Sequence, residues 1–176
     1  MSISGSPDRL LSKGNKSYIK NGDTIMRFMM FMIPPEYQPG APSEKKAKED
    51  FAPPKEAVEA MMKYNEELAK AGVLISLDGL HPLLKGARVT FKSGITTVTD
   101  GPFVEAKEVI GGYWMIDVKS KEEAIEWAKK CPAVKADSGA VIEVRQIFEM
   151  SEMPEEVQKA GESKVVEEAI AKNKKS

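Results

Sequence analysis

Six consecutive apolar residues, Phe28-Met29-Met30-Phe31-Met32-Ile33, interrupt an otherwise polar start. A strand turns successive side chains to opposite faces, so an unbroken apolar run predicts a strand covered on both sides. Pro34-Pro35 stops it, because proline brings no donor to a ladder. The stretch from Glu36 to Ala52 is polar, with Pro39, Gly40, Pro42 and a charge run from Glu44 to Asp50. It predicts a long loop with room for one helical turn. Long loops in compact domains tend to be functional or mobile. Pro53-Pro54 then opens a helix, since proline is tolerated in a first turn. Val58, Met61, Met62, Leu68 and Ala69 fall on one stripe at helical spacing, with Asn65 near its middle. Gly72 is a natural stop.

Strands follow. Val73 to Leu80 is one. Ala87 to Lys92 and Ile95 to Thr99 make a hairpin turned at Ser93-Gly94. Asp100-Gly101-Pro102 is a sharp turn. Val109 to Val118 is another strand, where Gly111-Gly112 marks a bulge or a close backbone approach. Ser120-x-x-Glu123 is a capping box for a second helix, whose apolar side is Ala124, Ile125, Trp127 and Ala128. Cys131-Pro132 ends it. In the last strand, Ala140 to Phe148, Ile142, Val144 and Phe148 alternate with Glu143 and Arg145. Beyond Ser151 the chain is charged and helix-prone, with a thin stripe of Val165, Val166, Ala169 and Ile170 suited to docking on the domain or on a partner.

The order strand, helix, strands, helix, strand is that of an α+β domain. Two helices cover one face of such a sheet and leave the other bare. An apolar bare face is a patch that monomers avoid. The simplest cover is a second copy about a two-fold axis, so the pattern predicts a homodimer.

Composition narrows the function. The chain has 176 residues, 41% hydrophobic and 30% charged, with a net charge of -1. That is one domain with tails. There is no Lys/Arg excess of the kind that direct nucleic-acid binding demands. No run nears the roughly 20 apolar residues of a membrane span. Residues 1–25 are polar, without the apolar core of a signal peptide, and are expected to be a flexible extension. The single cysteine, Cys131, excludes an internal disulfide and fits a reducing cytoplasmic setting. No glycine-rich phosphate loop, nucleophile elbow or metal-ligand spacing is present, so neither cofactor nor metal is expected. The methionines fill core gaps.

At Thr99-Asp100-Gly101-Pro102-Phe103-Val104-Glu105-Ala106-Lys107-Glu108 the sequence resembles the DGPF family, a branch of the YCII-related proteins. Gly111-Gly112-Tyr113, the helix Glu123 to Ala128 and the strand Val141 to Arg145 match as well. The likeness runs over residues 26–149. It divides the chain into an extension (1–25), a DGPF/YCII-related domain (26–150) and a charged helical tail (151–176). The resemblance implies a bacterial protein whose ferredoxin-like units, each an antiparallel sheet with two helices on one face, pair into a dimeric α+β barrel without a metal. YCII relatives have been suspected of enzymatic activity around a His–Asp pair. DGPF proteins tend to be linked with transcription regulation through sigma factors.

Candidate chemistry starts at His81, the one histidine, which is suited to general acid–base work near neutral pH. Its plainer role is a turn residue. Asp100 either orients His81 or, with Gly101 and Pro102, simply builds a turn. Glu105 and Lys107 fall on one face of an extended segment, where they suit a polar ligand or an exposed ion pair worth about 0–1 kcal/mol. Asn65, on an apolar stripe, either pins a neighbouring segment or touches a ligand. Arg88 and Arg145 lie on strands and line either a dimer cleft or solvent. Three readings result. One is a small-molecule-binding or regulatory dimer with a cleft near Asp100. The second is a cofactor-independent enzyme using His81 and Asp100. The third is a structural partner protein that assembles through its tail.

Overall fold

The computed structural model describes residues 10–11, 18–20, 23–48, 50–103, 106–135, 138–161 and 163–173. Residues 27–147 form one compact unit. The segments 1–26 and 148–176 make up a second.

In the second unit two short strands, β1 (Leu10–Leu11) and β2 (Tyr18–Lys20), lead to the start of β3 (Asp23–Ile33). β2 runs antiparallel to that start, with Tyr18 opposite Ile25. At the other end of the chain lie α4 (Glu155–Gly161) and α5 (Lys164–Asn173). Val165, Val166 and Ile170 of α5 are exposed.

The main unit holds the rest of β3 and the sequence-predicted order. Helix α1 spans Lys55–Lys70 and starts directly after Pro54. It ends in a Schellman motif. Gly72 has a φ of +70°, its N–H donates to the Ala69 carbonyl at 2.9 Å, and the Val73 N–H donates to the Leu68 carbonyl at 3.2 Å. Next come β4 (Leu74–Gly79), β5 (Ala87–Lys92), β6 (Ile95–Asp100) and β7 (Gly112–Val118). Helix α2 spans Lys121–Lys130, the short α3 spans Pro132–Lys135, and β8 spans Val141–Gln146. The Ser120 hydroxyl caps α2 by accepting the Glu123 N–H at 3.1 Å. The Glu123 carboxylate reaches back to the Lys119 N–H at 2.8 Å, one residue earlier than the usual reciprocal bond.

The strands form an antiparallel sheet in the order β8-β3-β7-β4, the ferredoxin-like α+β arrangement. It is an open sheet. Pleating gives it two unlike faces. Phe28, Met30, Trp114 and Ile116 are buried on the helix side. There the Trp114 indole N–H donates to Asn65 Oδ1 of α1 at 2.8 Å. The Tyr64 hydroxyl donates to the Trp127 carbonyl of α2 at 3.0 Å, and its ring meets Trp114 edge-on, centroids 5.7 Å apart. Tyr64, Asn65 and Leu68 are therefore the residues α1 buries, while Val58, Met62 and Ala69 of the predicted stripe are exposed. The helix presents its aromatic and amide groups to the sheet, because Trp114 supplies both a ring and a donor to match them.

The opposite face carries Met29 and Phe31 of β3, with Tyr113 and Met115 of β7, all half-buried. Across from them in register stand Arg145, Glu143, Asp78 and Ser76. The three helices of this unit lie on the other side.

β5 and β6 stand apart as a two-stranded hairpin, every residue of which is exposed. Ser93 and Gly94 take φ values of 51° and 79°, the two left-handed positions of a tight hairpin turn.

Candidate functional site

Two cavities open in the main unit, on either side of the short turn Pro35–Tyr37. Glu36 and Tyr37 are the residues that line both.

The larger, about 690 Å³, is mostly apolar. One wall is α1, through Val58, Met61 and Met62. The others come from Met32 and Pro34 at the end of β3, Gly111 before β7, and Pro132 and Ala133 of α3. His81 stands at its edge, just past the end of β4. The exposed Val58 and Met62 of the predicted stripe thus serve as cavity wall. The smaller, about 570 Å³, is framed by the 36–48 loop on one side and by Pro82, Leu83, Leu84, Pro102 and Phe103 on the other. Pro102 and Phe103 follow Asp100-Gly101, so this cleft adjoins the family-like turn.

Close backbone packing and side-chain clamps hold the walls. The Gln38 amide donates to the Pro34 carbonyl at 2.7 Å and to the Val109 carbonyl at 3.0 Å. It also accepts the Val109 N–H at 2.9 Å. The Tyr37 hydroxyl donates to the Leu80 carbonyl at 3.0 Å, and its ring meets Phe51 edge-on. Burial first, and the Glu36 carboxylate second, raise the Tyr37 phenol above its ordinary pKa, which keeps it a donor. The 34–52 segment is therefore fastened at two points, just past the end of β4 and just before β7.

Glycines allow the closest approaches. A Cβ on Gly101 would collide with the Leu83 carbonyl oxygen and lie 2.7 Å from its carbon. The Gly101 N–H donates to the Gly86 carbonyl at 2.8 Å, and the Gly101–Pro102 peptide is cis. A Cβ on Gly111 would lie 2.6 Å from Pro34 Cγ, and one on Gly112 would lie 2.9 Å from the Asp78 carbonyl oxygen. Gly101 and Gly112 mark places where two backbones touch, and Gly111 makes room for the Pro34 ring.

The sequence-predicted residues disperse. His81 and Asp100 are both exposed. Among the described residues, no hydrogen bond or ion pair joins them. Asp100 ends β6 opposite Ala87, whereas Arg88 pairs with Thr99. Asp100 and Arg88 thus point to opposite faces of the hairpin. The Arg88 guanidinium lies over the Phe103 ring, 4.3 Å from its centroid. Asn65 is buried and engaged with Trp114. Arg145 sits on the sheet face turned away from α1 and α2, 3.7 Å from Glu143. Lys107 is exposed, and Glu105 lies outside the described residues. Sequence reasoning missed Gln38, Tyr37 and Phe103. Gln38 and Tyr37 belong to a polar segment whose partners are far along the chain, so no local pattern marks them.

The sequence profile of the YCII-related domain matches residues 26–151. The chain belongs to the YCII-related family. An uncharacterised protein of Rhizobium meliloti is similar to it, 33% identical over 87 residues that make up 48% of this chain and 69% of that protein. No helix among the described residues is long and apolar enough to cross a membrane. No cluster of three or more potential metal ligands occurs among them.

Proposed function

We propose that this YCII-related protein is a small-molecule-binding dimer. The observation that carries the reading is the apolar cavity of about 690 Å³ with His81 at its rim. Its size and lining suit a small apolar molecule, fixed by a few polar groups at the edge. Glu36, Tyr37, Ser138 and His81 are the polar lining side chains. In this reading His81 donates or accepts one hydrogen bond and needs no proton transfer, and no hydrogen bond to Asp100 is required. The dimer uses the sheet face turned away from α1 and α2, where Met29, Phe31 and Met115 supply the apolar centre and Glu143 and Arg145 the polar border.

The test is a screen of small neutral apolar molecules, read through the methyl resonances of Met61, Met62 and Ala133. Hits that shift those methyls, and that Ala57→Trp excludes by filling the cavity, support the reading. Hits that survive Ala57→Trp unchanged refute it. Sedimentation measures the assembly separately. Phe31→Glu is expected to convert a dimer to a monomer, and a wild-type protein that sediments as a monomer removes the dimer from the proposal.

A further inference from the structure

We infer that the smaller cavity is a second, separate site, which takes a small organic anion with a flat apolar body, such as an aromatic carboxylate. Two cationic side chains line it, and a third stands against one of its wall residues. Lys46 and Lys48 line it from the loop, and the Arg88 guanidinium lies over Phe103, itself a wall residue. Glu36 is the one carboxylate in the lining among the described residues. Among the described residues no carboxylate lies within ion-pair distance of Lys46, Lys48 or Arg88. Lys46 Nζ donates to the Pro39 carbonyl at 3.4 Å. No carboxylate among the described residues, then, neutralises their charge, and a bound anion would.

The rest of the lining is apolar and partly flat: Tyr37, Pro39, Pro82, Leu83, Leu84, Pro102, Phe103 and Val109. An inorganic ion would leave that surface wet, and a neutral apolar molecule would leave the exposed cations to solvent alone. A carboxylate on a ring satisfies both. Arg88 is the natural partner, since a planar guanidinium grips a carboxylate through two parallel bonds. The Phe103 ring beneath already holds that guanidinium beside the cavity wall. The walls are set before any ligand arrives. Gln38 clamps Val109, and Gly101 lets the Pro102–Phe103 turn sit against Leu83. Preorganisation of this kind lowers the cost of binding. Glu36 and Tyr37 line both cavities, but Lys46, Lys48, Arg88 and Phe103 lie outside the lining of the larger one, which holds His81, so the inference stands apart from the reading above.

The experiment is a two-dimensional NMR titration of the whole protein with benzoate, benzamide and inorganic phosphate as probes. Benzoate is expected to shift the amides of Lys46, Leu84 and Phe103 saturably. Benzamide and phosphate should bind at least about tenfold more weakly, and added salt should weaken benzoate, as screening requires. Lys46→Glu with Lys48→Glu, and separately Arg88→Gln, should each lower benzoate affinity about tenfold, with the remaining spectrum unchanged. Should the double lysine variant fail to fold, Arg88→Gln decides alone. Equal binding of benzamide, no saturable shift with benzoate, or full affinity in Arg88→Gln overturns the inference.

Discussion

Replacing Gln38 with alanine removes three hydrogen bonds at once and tests whether one side chain fastens the 34–52 segment. The Pro34 carbonyl keeps the Tyr37 N–H as a donor at 3.2 Å, so its loss is small. Val109 differs. It is 3% exposed, and both its N–H and its carbonyl bond to the Gln38 amide. An orphaned buried polar group costs about 1–3 kcal/mol, so two together cost about 2–4 kcal/mol once some water enters. The expense falls first on local opening of the segment, below the energy of global unfolding. At about 1.4 kcal/mol per factor of ten, the Val109 amide is expected to exchange its hydrogen on the order of ten to a thousand times faster than in the wild type. Amides in the centre of β7 should slow or quicken only with global stability. Gln38→Glu sharpens the test, since it keeps an acceptor for the Val109 N–H but sets a carboxylate against two carbonyls. It should be no better than alanine. An unchanged Val109 exchange rate in Gln38→Ala would refute the clamp.

Three further predictions follow from the same geometry. Asn65→Leu strands the Trp114 N–H and should cost about 1–3 kcal/mol in urea unfolding, whereas adding Trp114→Phe should recover part of that cost; purely additive losses would dissolve the pairing. Gly101→Ala drives a Cβ into the Leu83 carbonyl and should destabilise by about 1–3 kcal/mol or more, with the largest shifts at Leu83, Gly86 and Phe103; a wild-type melting curve would contradict the contact. Burial pushes the Cys131 thiol above its ordinary 9.0. Burial, then Cys131 and Glu67, push the Tyr64 phenol above 10.0. The unfolded chain therefore ionises first as pH rises. The stability these groups contribute is complete below about pH 8 and is lost as pH climbs through the ordinary thiol and phenol range. Urea midpoints compared near neutrality and near pH 10 check the sign.

Much of the fold was legible because local signals and long-range needs agree. The apolar run 28–33, the Gly72 stop, the Ser93-Gly94 turn and the Ser120 cap each state a backbone requirement within a few residues, and each is met. The stripe on α1 was less legible. Hydropathy ranks Val58 and Met62 above Tyr64 and Asn65, yet the sheet opposite offers an indole ring and an N–H, and α1 turns the residues that match those groups toward it. The last strands were set a little long for a similar reason. Val109 to Gly111 has the side chains of a strand, but its backbone bonds go to Gln38, Leu80 and Met32, so pairing in β7 begins only at Gly112.

The site was harder to read because the motif that announces the family is mainly a packing device. In Asp100-Gly101-Pro102-Phe103, Gly101 admits the Leu83 carbonyl, Pro102 lines the smaller cavity, and Phe103 both lines it and supports Arg88. A sequence reader sees an aspartate and looks for a histidine to pair with it. The structure puts that aspartate at an exposed strand end and gives the wall to the apolar residues after it. The same displacement applies to Arg88. Its strand position implies a sheet face, yet its reach across to Phe103 is what makes it relevant, and nothing within the hairpin encodes the distance between them. A short motif can therefore shape a site through residues that carry no chemistry of their own, while the groups that carry charge arrive from the loop 36–48 and from β5. That is why Arg88→Gln, rather than Asp100→Asn, is the substitution expected to alter anion binding. Asp100→Asn leaves the three cations, the Phe103 ring and the Leu83 contact in place, and should leave benzoate affinity within about twofold, since a lone exposed charge is screened at ordinary ionic strength.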